Sequence, residues 1–449
     1  MTKQKDQKLP IIGKTGKLSR RRFVKTAGAT AGLAAAASHL PMPALAQSRT
    51  IRIGYVSPQT GPLAPFGESD NFNVNNFRQA VRNGLKLGGK TYKIEVTVKD
   101  SQSNPNRAAE VAKELIVDTK VDLMMVANTP ETTNPVATQS EIEEVPCIST
   151  NCPWQPWFIG QQGNPGDPKT WKPFNWAFHY FWGLEDVIAV FTNMWSQLDT
   201  NKVVGGAFPN DADGNAWGDA KVGLPPALAA KGYKLIDPGR YQNLTDDFSA
   251  QITAFKKGGA EIMTGVMLPP DFTTFWTQAR QQGFRPKAAS IGKAILFPVS
   301  VQALGAAGHN LSSEVWWSPA HPFKSSLTGQ SSADLSKAYT AATGKQWTQP
   351  IGFVHSLFEM AVDVLKRTAD VGSNESIRDA IASSNIDTIV GHVQWNGKGL
   401  PPFAAKNISK TPLVGGQWRH QGGNKYDLVI TDNRTAPEIP VTADMQAIS

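Results

Sequence analysis

The sequence predicts an α/β protein with two lobes, each built around an open parallel sheet. From Thr50 onward, short runs rich in β-branched residues alternate with segments of helical period, which is the pattern of a parallel sheet flanked by helices. The alternation stops at a Pro/Gly/Trp-rich segment, residues 151–173, and then starts again. The 449 residues suffice for two or three domains at about 150 residues each, so two lobes account for most of the chain.

The first series contains four expected strands and one clear helix. Asn104 and Pro105 supply an N-cap and a first-turn residue, and apolar residues from Ala108 to Ile116 recur at the spacing of one helix face. This helix therefore has one buried face and one charged face. The expected strands are Ile51–Val56, Tyr92–Val98, Val121–Ala127 and Val145–Ser149.

The second series begins after residues 151–173. That segment is too long for an ordinary strand–helix loop, so we interpret it as a functional insertion or a crossing between lobes. Residues 350–370 predict one long amphipathic helix, and residues 388–395 and 412–418 predict late strands. The earlier strands expected in this series are Phe174–Phe178, Lys202–Phe208, Tyr233–Ile236 and Ala260–Met267.

The positive charge of the chain is concentrated at its beginning. The formal net charge is +8, yet residues 1–46 hold nine Lys and Arg residues and one acid, which leaves 36 Lys+Arg against 36 Asp+Glu in the rest. A neutral body offers no basic surface for a phosphate backbone. We therefore expect no nucleic-acid partner.

The same 46 residues have the layout of an export signal. The Ser19–Lys25 segment fits the twin-arginine pattern, an uncharged stretch follows from Thr26 to Leu40, and Ala44-Leu45-Ala46 forms a small-x-small cleavage site. The uncharged stretch is shorter than the roughly 20 residues that span a bilayer, which disfavours a retained anchor. We expect residues 1–46 to be a twin-arginine signal peptide, removed on export to the periplasm, with the twin-arginine translocase as a transient partner.

Several motifs of enzyme chemistry are absent from the sequence. It has no Gly-x-Gly-x-x-Gly after the first strand, no His-Glu-x-x-His, no Cys-x-x-Cys and no Gly-x-Ser-x-Gly. The seven histidines are scattered singly. We expect no enzymatic activity, no cofactor and no metal, with a twin-arginine-exported enzyme of unrecognised type as the alternative.

The two cysteines lie five positions apart, Cys147 on an expected strand and Cys152 in the loop after it. A disulfide is compatible with an oxidising compartment but requires a sharp turn there. Two buried, unpaired thiols are the interpretation that we favour.

Several segments together resemble type I periplasmic solute-binding proteins of the branched-chain amino acid (Leu/Ile/Val) binding group. The opening Ile53–Gly67, IGYVSPQTGPLAPFG, is similar to theirs, and the resemblance continues in order to residue 430. The further segments are Asp100–Arg107, Glu144–Ser149, Asp247–Ser249 and Gly391–Trp395.

This resemblance implies two doubly wound lobes joined by three crossings, with the long 350–370 helix returning to the first lobe. Lobe 1 is then residues 50–172 and 320–405, and lobe 2 is residues 173–319 and 406–449. It implies a monomeric receptor of an ABC importer that closes on a small ligand, an amino acid or an aromatic or other organic carboxylate, and delivers it to a membrane permease. A ligand sensor for a membrane receptor shares the fold and remains an alternative.

Candidate ligand-binding residues lie in loops at the carboxyl ends of strands, where open α/β sheets bind ligands. Trp217 is the strongest candidate, because the resemblance implies an aromatic residue there; packing within its own lobe is the alternative. For the 128–133 loop the alternative is an ordinary helix N-cap, and for Lys293 a solvated lysine. The twelve candidates are Phe66, Asn128, Thr129, Glu131, Asn151, Cys152, Trp154, Tyr180, Trp182, Trp217, Met267 and Lys293.

Two departures from the family pattern affect the expected ligand. Pro153 cannot donate an N–H, and it stands where family members carry small residues that hold a carboxylate. Thr245 stands where amino-acid-binding members have an acid for the ligand ammonium. Asp211, Asp213 or Asp271 are possible substitutes, although helix capping or a turn is the interpretation that we favour for each. The 13 tryptophans favour a flat or bulky apolar ligand.

Overall fold

The computed structural model describes residues 49–448. The predicted signal peptide, residues 1–46, lies outside the described residues. The strands in chain order are β1 (Ile51–Ser57), β2 (Leu85–Leu87), β3 (Lys90–Tyr92), β4 (Ile94–Asp100), β5 (Leu123–Ala127), β6 (Cys147–Thr150), β7 (Ala177–Tyr180), β8 (Val203–Pro209), β9 (Lys234–Ile236), β10 (Arg240–Tyr241), β11 (Ile262–Val266), β12 (Ala288–Gly292), β13 (Ser312–Val315), β14 (Asn385–Thr388), β15 (Gly391–Gln394), β16 (Ile408–Ser409), β17 (Val414–His420) and β18 (Tyr426–Asp432).

The helices cover both faces of the main sheets. In chain order they are α1 (Asp70–Ala80), α2 (Pro105–Lys113), α3 (Pro130–Ile142), α4 (Trp154–Gly160), α5 (Leu184–Trp195), α6 (Ala212–Trp217), α7 (Leu224–Ala230), α8 (Ser249–Gly258), α9 (Pro269–Gln281), α10 (Pro298–Gln302), α11 (Ser332–Thr343), α12 (Pro350–Arg367) and α13 (Asn374–Ala382). Among the described residues, none of these helices is long and apolar enough to cross a membrane.

The first lobe is a six-stranded sheet in the order β16-β7-β6-β5-β1-β4, and every pairing in it is parallel. Alternate residues of the central strands point to opposite faces. Leu123 and Met125 of β5 pack with α1 and α12, whereas Met124 and Val126 pack with α2. Burial on both faces explains why these strands are continuous apolar runs.

The second lobe is an eight-stranded sheet. Its main path runs β10-β8-β11-β12-β13-β17-β18, and β9 pairs with β8. The strands from β8 to β13 are parallel, while β17 and β18 add an antiparallel edge. The late strand expected at residues 412–418 is therefore present, as β17, in the second lobe.

Three segments cross between the lobes. Residues 181–183 join β7 to α5, which packs against β13, β17 and β18 of the second sheet. Residues 316–331 lead from β13 back to α11 and α12, which pack on the first lobe, and residues 410–413 join β16 to β17. The three crossings implied by the resemblance are confirmed, as is the return of the 350–370 helix to the first lobe.

The boundaries expected at residues 173 and 406 are wrong for two strands. The strand expected at Phe174–Phe178 forms as β7, but it pairs with β6 in the first sheet, and β16 pairs with β7. The physical reason is the open edge of β6, whose backbone groups need partners that β7 supplies. Residues 151–173 are therefore an insertion that returns to the same sheet, and the crossing comes later, at residues 181–183.

The insertion packs on the first lobe through an aromatic cluster. Trp157 stacks on His179 with ring centroids 4.7 Å apart, and Phe158 lies against Phe174 and Phe403. These contacts fix α4 at the end of β6, at the edge of the cleft. Nearby, Cys147 and Cys152 are buried free thiols, as favoured above, and burial raises the pKa of Cys147 to about 12.

Four further elements differ from the sequence pattern. Strands β12 and β13 were not expected. Residues 388–395 form half of a separate hairpin, because β15 pairs only with β14 within the described residues. Helix α12 is buried over most of its circumference, not on one face alone, since it lies between the first sheet and its neighbouring helices.

Candidate functional site

Loops from both lobes enclose one small cavity at the carboxyl ends of the strands. The loops after β1, β5, β6 and β7 form one side, and the ends of β8, β11, β12 and β13 form the other. The cavity volume is only about 20 Å³, so the lobes are closed around it. The lining residues are Phe66, Thr129, Asn151, Cys152, Pro153, Phe181, Trp182, Asp213, Trp217, Val266, Lys293, Leu296, Glu314 and Trp316.

Seven of the twelve candidate residues line this cavity. They come from six separate segments of the chain, as expected if strand ends converge there. The seven are Phe66, Thr129, Asn151, Cys152, Trp182, Trp217 and Lys293. Which of them contacts ligand stays a prediction.

Five candidates lie outside the cavity lining. The amide of Asn128 bonds to Thr132 in the first turn of α3, and the hydroxyl of Tyr180 bonds to Ser356 of α12. Met267 packs in the core of the second lobe. These three side chains are directed into their own lobes, so their expected place in the cavity is wrong.

Trp154 and Glu131 lie beside the cavity. The indole of Trp154 donates to Glu185 of α5, so it links the insertion to the second lobe. Glu131, in the first turn of α3, reaches across the cleft to Lys293, with Oε2 and Nζ 3.5 Å apart. Neither residue lines the cavity, but both join the two lobes.

Lys293 is the centre of a buried charge cluster. Its Nζ lies 3.0 Å from Oδ2 of Asp213 and 3.4 Å from Oδ2 of Asp211, and its side chain is 5% exposed. Burial opposes its positive charge, but Asp211, Glu131 and Asp213 outweigh burial and raise the pKa of Lys293 well above its ordinary value. The alternative of a solvated lysine is therefore wrong.

The acids around Lys293 have different environments. Burial raises the pKa of Asp213 to about 7, against the opposing effect of Lys293. Asp211 is the N-cap of α6, because its Oδ1 accepts from the Gly214 N–H at 2.8 Å, while its other oxygen faces Lys293. The capping interpretation of Asp211 is confirmed, but it omits this second role.

The backbone at Lys293 is held in the left-handed region, with φ of 68°. Its N–H donates to Oε1 of Glu314 at 3.1 Å, and the other oxygen of Glu314 accepts from Ser313. Burial raises the pKa of Glu314 to about 7. This unfavourable backbone conformation aims the Lys293 side chain into the cluster.

Aromatic rings form the walls of the cavity. Phe181 lies against Trp182 and Trp316, with ring centroids 4.8 and 5.4 Å apart. Trp217 packs over Gly292, where an added Cβ would meet the indole at 2.7 Å, so the close approach requires glycine. The indole N–H groups of Trp182, Trp217 and Trp316 have no hydrogen-bond partner.

Two polar residues of the first lobe are also unpaired in the cavity. Neither polar side-chain atom of Asn151 has a partner, and its backbone is left-handed, with φ of 74°. The hydroxyl of Thr129, before α3, is unpaired as well. Buried polar groups without partners are rare, so these atoms are available to a ligand.

Sequence reasoning missed several lining residues, above all Glu314 and Trp316. Strand β13 has the sequence SSEV, which lacks the β-branched run that indicated the other strands. Without that strand, the residues at its end could not be assigned to the cleft. Asp213 was considered only as a substitute for the absent acid at position 245.

Two open α/β lobes that enclose a cavity and are joined by three crossings define a hinged solute-binding protein. In agreement, residues 50–402 match the model of the periplasmic binding protein family, and the chain belongs to that family. Structural neighbours share the fold at low identity. The substrate-binding protein LivJ of Streptococcus pneumoniae, solved in complex with isoleucine, is 17% identical with a TM-score of 0.65, over 85% of this chain and 99% of that one.

Two further solved structures share the fold at similarly low identity. The leucine-binding protein LivK of Thermotoga maritima is 16% identical with a TM-score of 0.67, over 84% of this chain and 97% of that one. A solute-binding protein of an ABC transporter from R. palustris, in complex with 4-hydroxybenzoate, is 16% identical with a TM-score of 0.65, over 88% and 98% of the two chains.

Proposed function

We propose that this protein is the periplasmic substrate-binding protein of an ABC importer and binds one small organic solute between its lobes. The observation that carries the proposal is the cavity, whose walls come from both lobes and contain unpaired polar atoms. Membership of the periplasmic binding protein family supports it. The ligand then passes to permease subunits in the inner membrane.

The proposed mechanism is closure stabilised by ligand. A ligand that contacts Thr129 and Asn151 on one lobe and Trp217 on the other binds the closed state more tightly than the open state, and so shifts the population toward it. Residues of both lobes enclose the cavity, so entry of a ligand requires the lobes to part. The three crossings are the hinge about which they part.

The neighbours suggest two starting classes of ligand. Proteins of this fold have been solved with isoleucine and with aromatic carboxylates such as 4-hydroxybenzoate. The aromatic walls of the cavity suit a compound with an apolar body. Amino acids and aromatic acids therefore belong in a first panel, together with amines, amides and sugars.

A thermal-shift screen of the exported protein tests the proposal. A ligand that binds only the folded state adds about 2.7 kcal/mol at 100 times its dissociation constant, which raises the melting temperature by several degrees. We expect one chemical class to give this shift, with unchanged ligand recovered afterwards. Turnover of the compound would instead support an enzyme, and no shift with any class would contradict solute binding.

Export by the twin-arginine route is a separate part of the proposal. The signal and cleavage site at residues 1–46 support it. Replacing Arg20, Arg21 and Arg22 by Lys should leave the uncleaved chain in the cytoplasm, as followed by cell fractionation. Continued export of that variant would contradict this route without affecting solute binding.

A further inference from the structure

Acidic side chains outnumber basic ones at the cavity. Lys293 is the one basic residue among those that line it. Its ammonium is shared by the carboxylates of Glu131, Asp211 and Asp213, so one positive charge faces three negative charges when all four groups are ionised. The cluster therefore has room for a further positive charge.

Two acids of the cluster have acceptor atoms without a donor. Asp213 lines the cavity and is 3% exposed, and its Oδ1 has no hydrogen-bond partner, while Oδ2 accepts from Lys293. Neither oxygen of Glu131 accepts a hydrogen bond. A buried acceptor without a donor is costly, so a ligand that donates to Asp213 removes that cost.

The helix starts of the first lobe and Lys293 offer little to a ligand carboxylate. Pro130 at the start of α3 and Pro153 just before α4 have no N–H to donate. Glu131, in the first turn of α3, repels an anion at that helix end. Lys293, which would attract an anion, is already engaged by three acids.

The aromatic walls also favour a cation. The rings of Trp182, Trp217 and Trp316 line the cavity within one shared space. The face of an indole ring attracts a cationic group, and the attraction is larger when the cation is desolvated. Indole rings in a cavity that also contains an unpaired carboxylate oxygen suit an organic ammonium ion.

We infer that the ligand is a small organic cation, an amine whose charged nitrogen lies against Asp213 and whose apolar body lies among the three tryptophans. Asn151 and Thr129 then provide the polar contacts from the first lobe. This inference rests on the proposed function and narrows its substrate class to ligands with a net positive charge.

Four compounds that share a phenyl ring but differ in charge test the inference. Calorimetric titration of the exported protein at pH 7.5 would compare benzylamine, benzyl alcohol, benzoate and phenylalanine. We expect benzylamine to bind at least tenfold more tightly than each of the others. Equal binding across the series, tighter binding of benzoate, tighter binding of phenylalanine, or no binding of benzylamine would each overturn the inference.

The Asp213→Asn variant tests whether the charged nitrogen of the ligand lies against Asp213. It keeps the side-chain shape but removes the negative charge, so benzylamine should bind at least tenfold more weakly, while benzyl alcohol is unaffected. Asp246→Asn, at an exposed residue of the same lobe, is the matched control. If Asp213→Asn does not fold, as judged by its melting curve, Glu131→Gln takes its place. Because that variant also weakens closure, the expected loss is in the affinity for benzylamine relative to that for benzyl alcohol. An unchanged ratio of the two affinities in the folded variant overturns the assignment.

The inference and the proposed function fail in different ways. Tight stoichiometric binding of benzoate, an amino acid or a sugar overturns the cationic ligand but leaves a solute receptor intact. Failure of every class in the thermal-shift panel removes both.

Discussion

Nζ of Lys293 in the second lobe lies 3.5 Å from Oε2 of Glu131 in the first lobe, so an ion pair spans the cleft in the closed protein. The lysine is 5% exposed at its side chain, and the glutamate 22%. On the second-lobe side Asp211 and Asp213 hold the lysine in place. Closure of the cleft therefore depends on the charges of the buried groups in this cluster.

Loss of the Glu131 charge should favour the open form. Glu131→Gln removes the attraction across the cleft, and we expect the radius of gyration of the ligand-free protein to increase in X-ray scattering. Glu143→Gln, just after the same helix, makes no contact across the cleft and serves as control. Identical scattering of the Glu131→Gln variant and the wild type would show that the pair does not hold the lobes together.

Replacement of Lys293 should destabilise the protein in a pH-dependent way. Lys293→Met leaves buried carboxylates without their cation, and breaking a buried pair costs about 3–5 kcal/mol. The decrease in the free energy of unfolding should be largest near pH 8 and smaller near pH 5. Burial raises the pKa of Asp213 to about 7, so at pH 5 this acid is protonated and no longer needs a cation. Urea unfolding at both pH values measures this decrease, and Lys234→Met, at an exposed residue, is the control. An equal decrease at both pH values would show that the charge of Asp213 does not depend on Lys293 as described.

Trp217 should contribute to binding through its position over Gly292. Gly292→Ala introduces a Cβ at 2.7 Å from the indole and displaces it, so binding of the compound with the largest thermal shift should weaken. Trp217→Ala should weaken it at least tenfold while the protein stays folded. Gly163→Ala has open space around the added carbon and controls for the substitution itself. Calorimetry that gives wild-type affinity for Trp217→Ala would remove this residue from the site.

Another buried acid, Asp70 in the first lobe, should make the protein more stable at low pH. Asp70 accepts hydrogen bonds from Tyr55 and Ser57, but burial outweighs them and raises the pKa of Asp70 to about 7. Its contribution to the free energy of unfolding is therefore fully present below about pH 4 and is lost as the pH rises through about 7.

The Asp70→Asn variant measures this contribution. It should show a smaller decline in the free energy of unfolding between pH 4 and pH 8 than the wild type does, at about 1.4 kcal/mol for each unit of pKa shift removed. Asp118→Asn, at an exposed residue, should retain the wild-type slope. An unchanged slope in Asp70→Asn would show that other groups cause the decline.

Much of the fold follows from local patterns, because strands buried on both faces are continuous apolar runs. The strands around Ile53, Leu123 and Ile262 were predicted for this reason. The placement of β7 was not predictable, since pairing of Ile148 with Phe178 joins segments separated by the whole insertion. An alternation of strands and helices does not say which sheet a strand joins.

The site was predictable where a residue follows a recognisable strand. Trp217 comes after β8, a strand that was predicted, and it lines the cavity. The role of Asp213 was not predictable, because a residue near a helix start has a local explanation that hides a contact with Lys293, 80 positions later in the chain. Long-range charge pairing of this kind leaves no periodic signal in a sequence.

The central claim, that a solute is bound by closure of two lobes, is tested most directly by X-ray scattering during a ligand titration. The exported protein would be titrated with the compound that gives the largest thermal shift. The account predicts that the radius of gyration falls and reaches a plateau at one equivalent of ligand. An unchanged scattering profile at saturating ligand would contradict it.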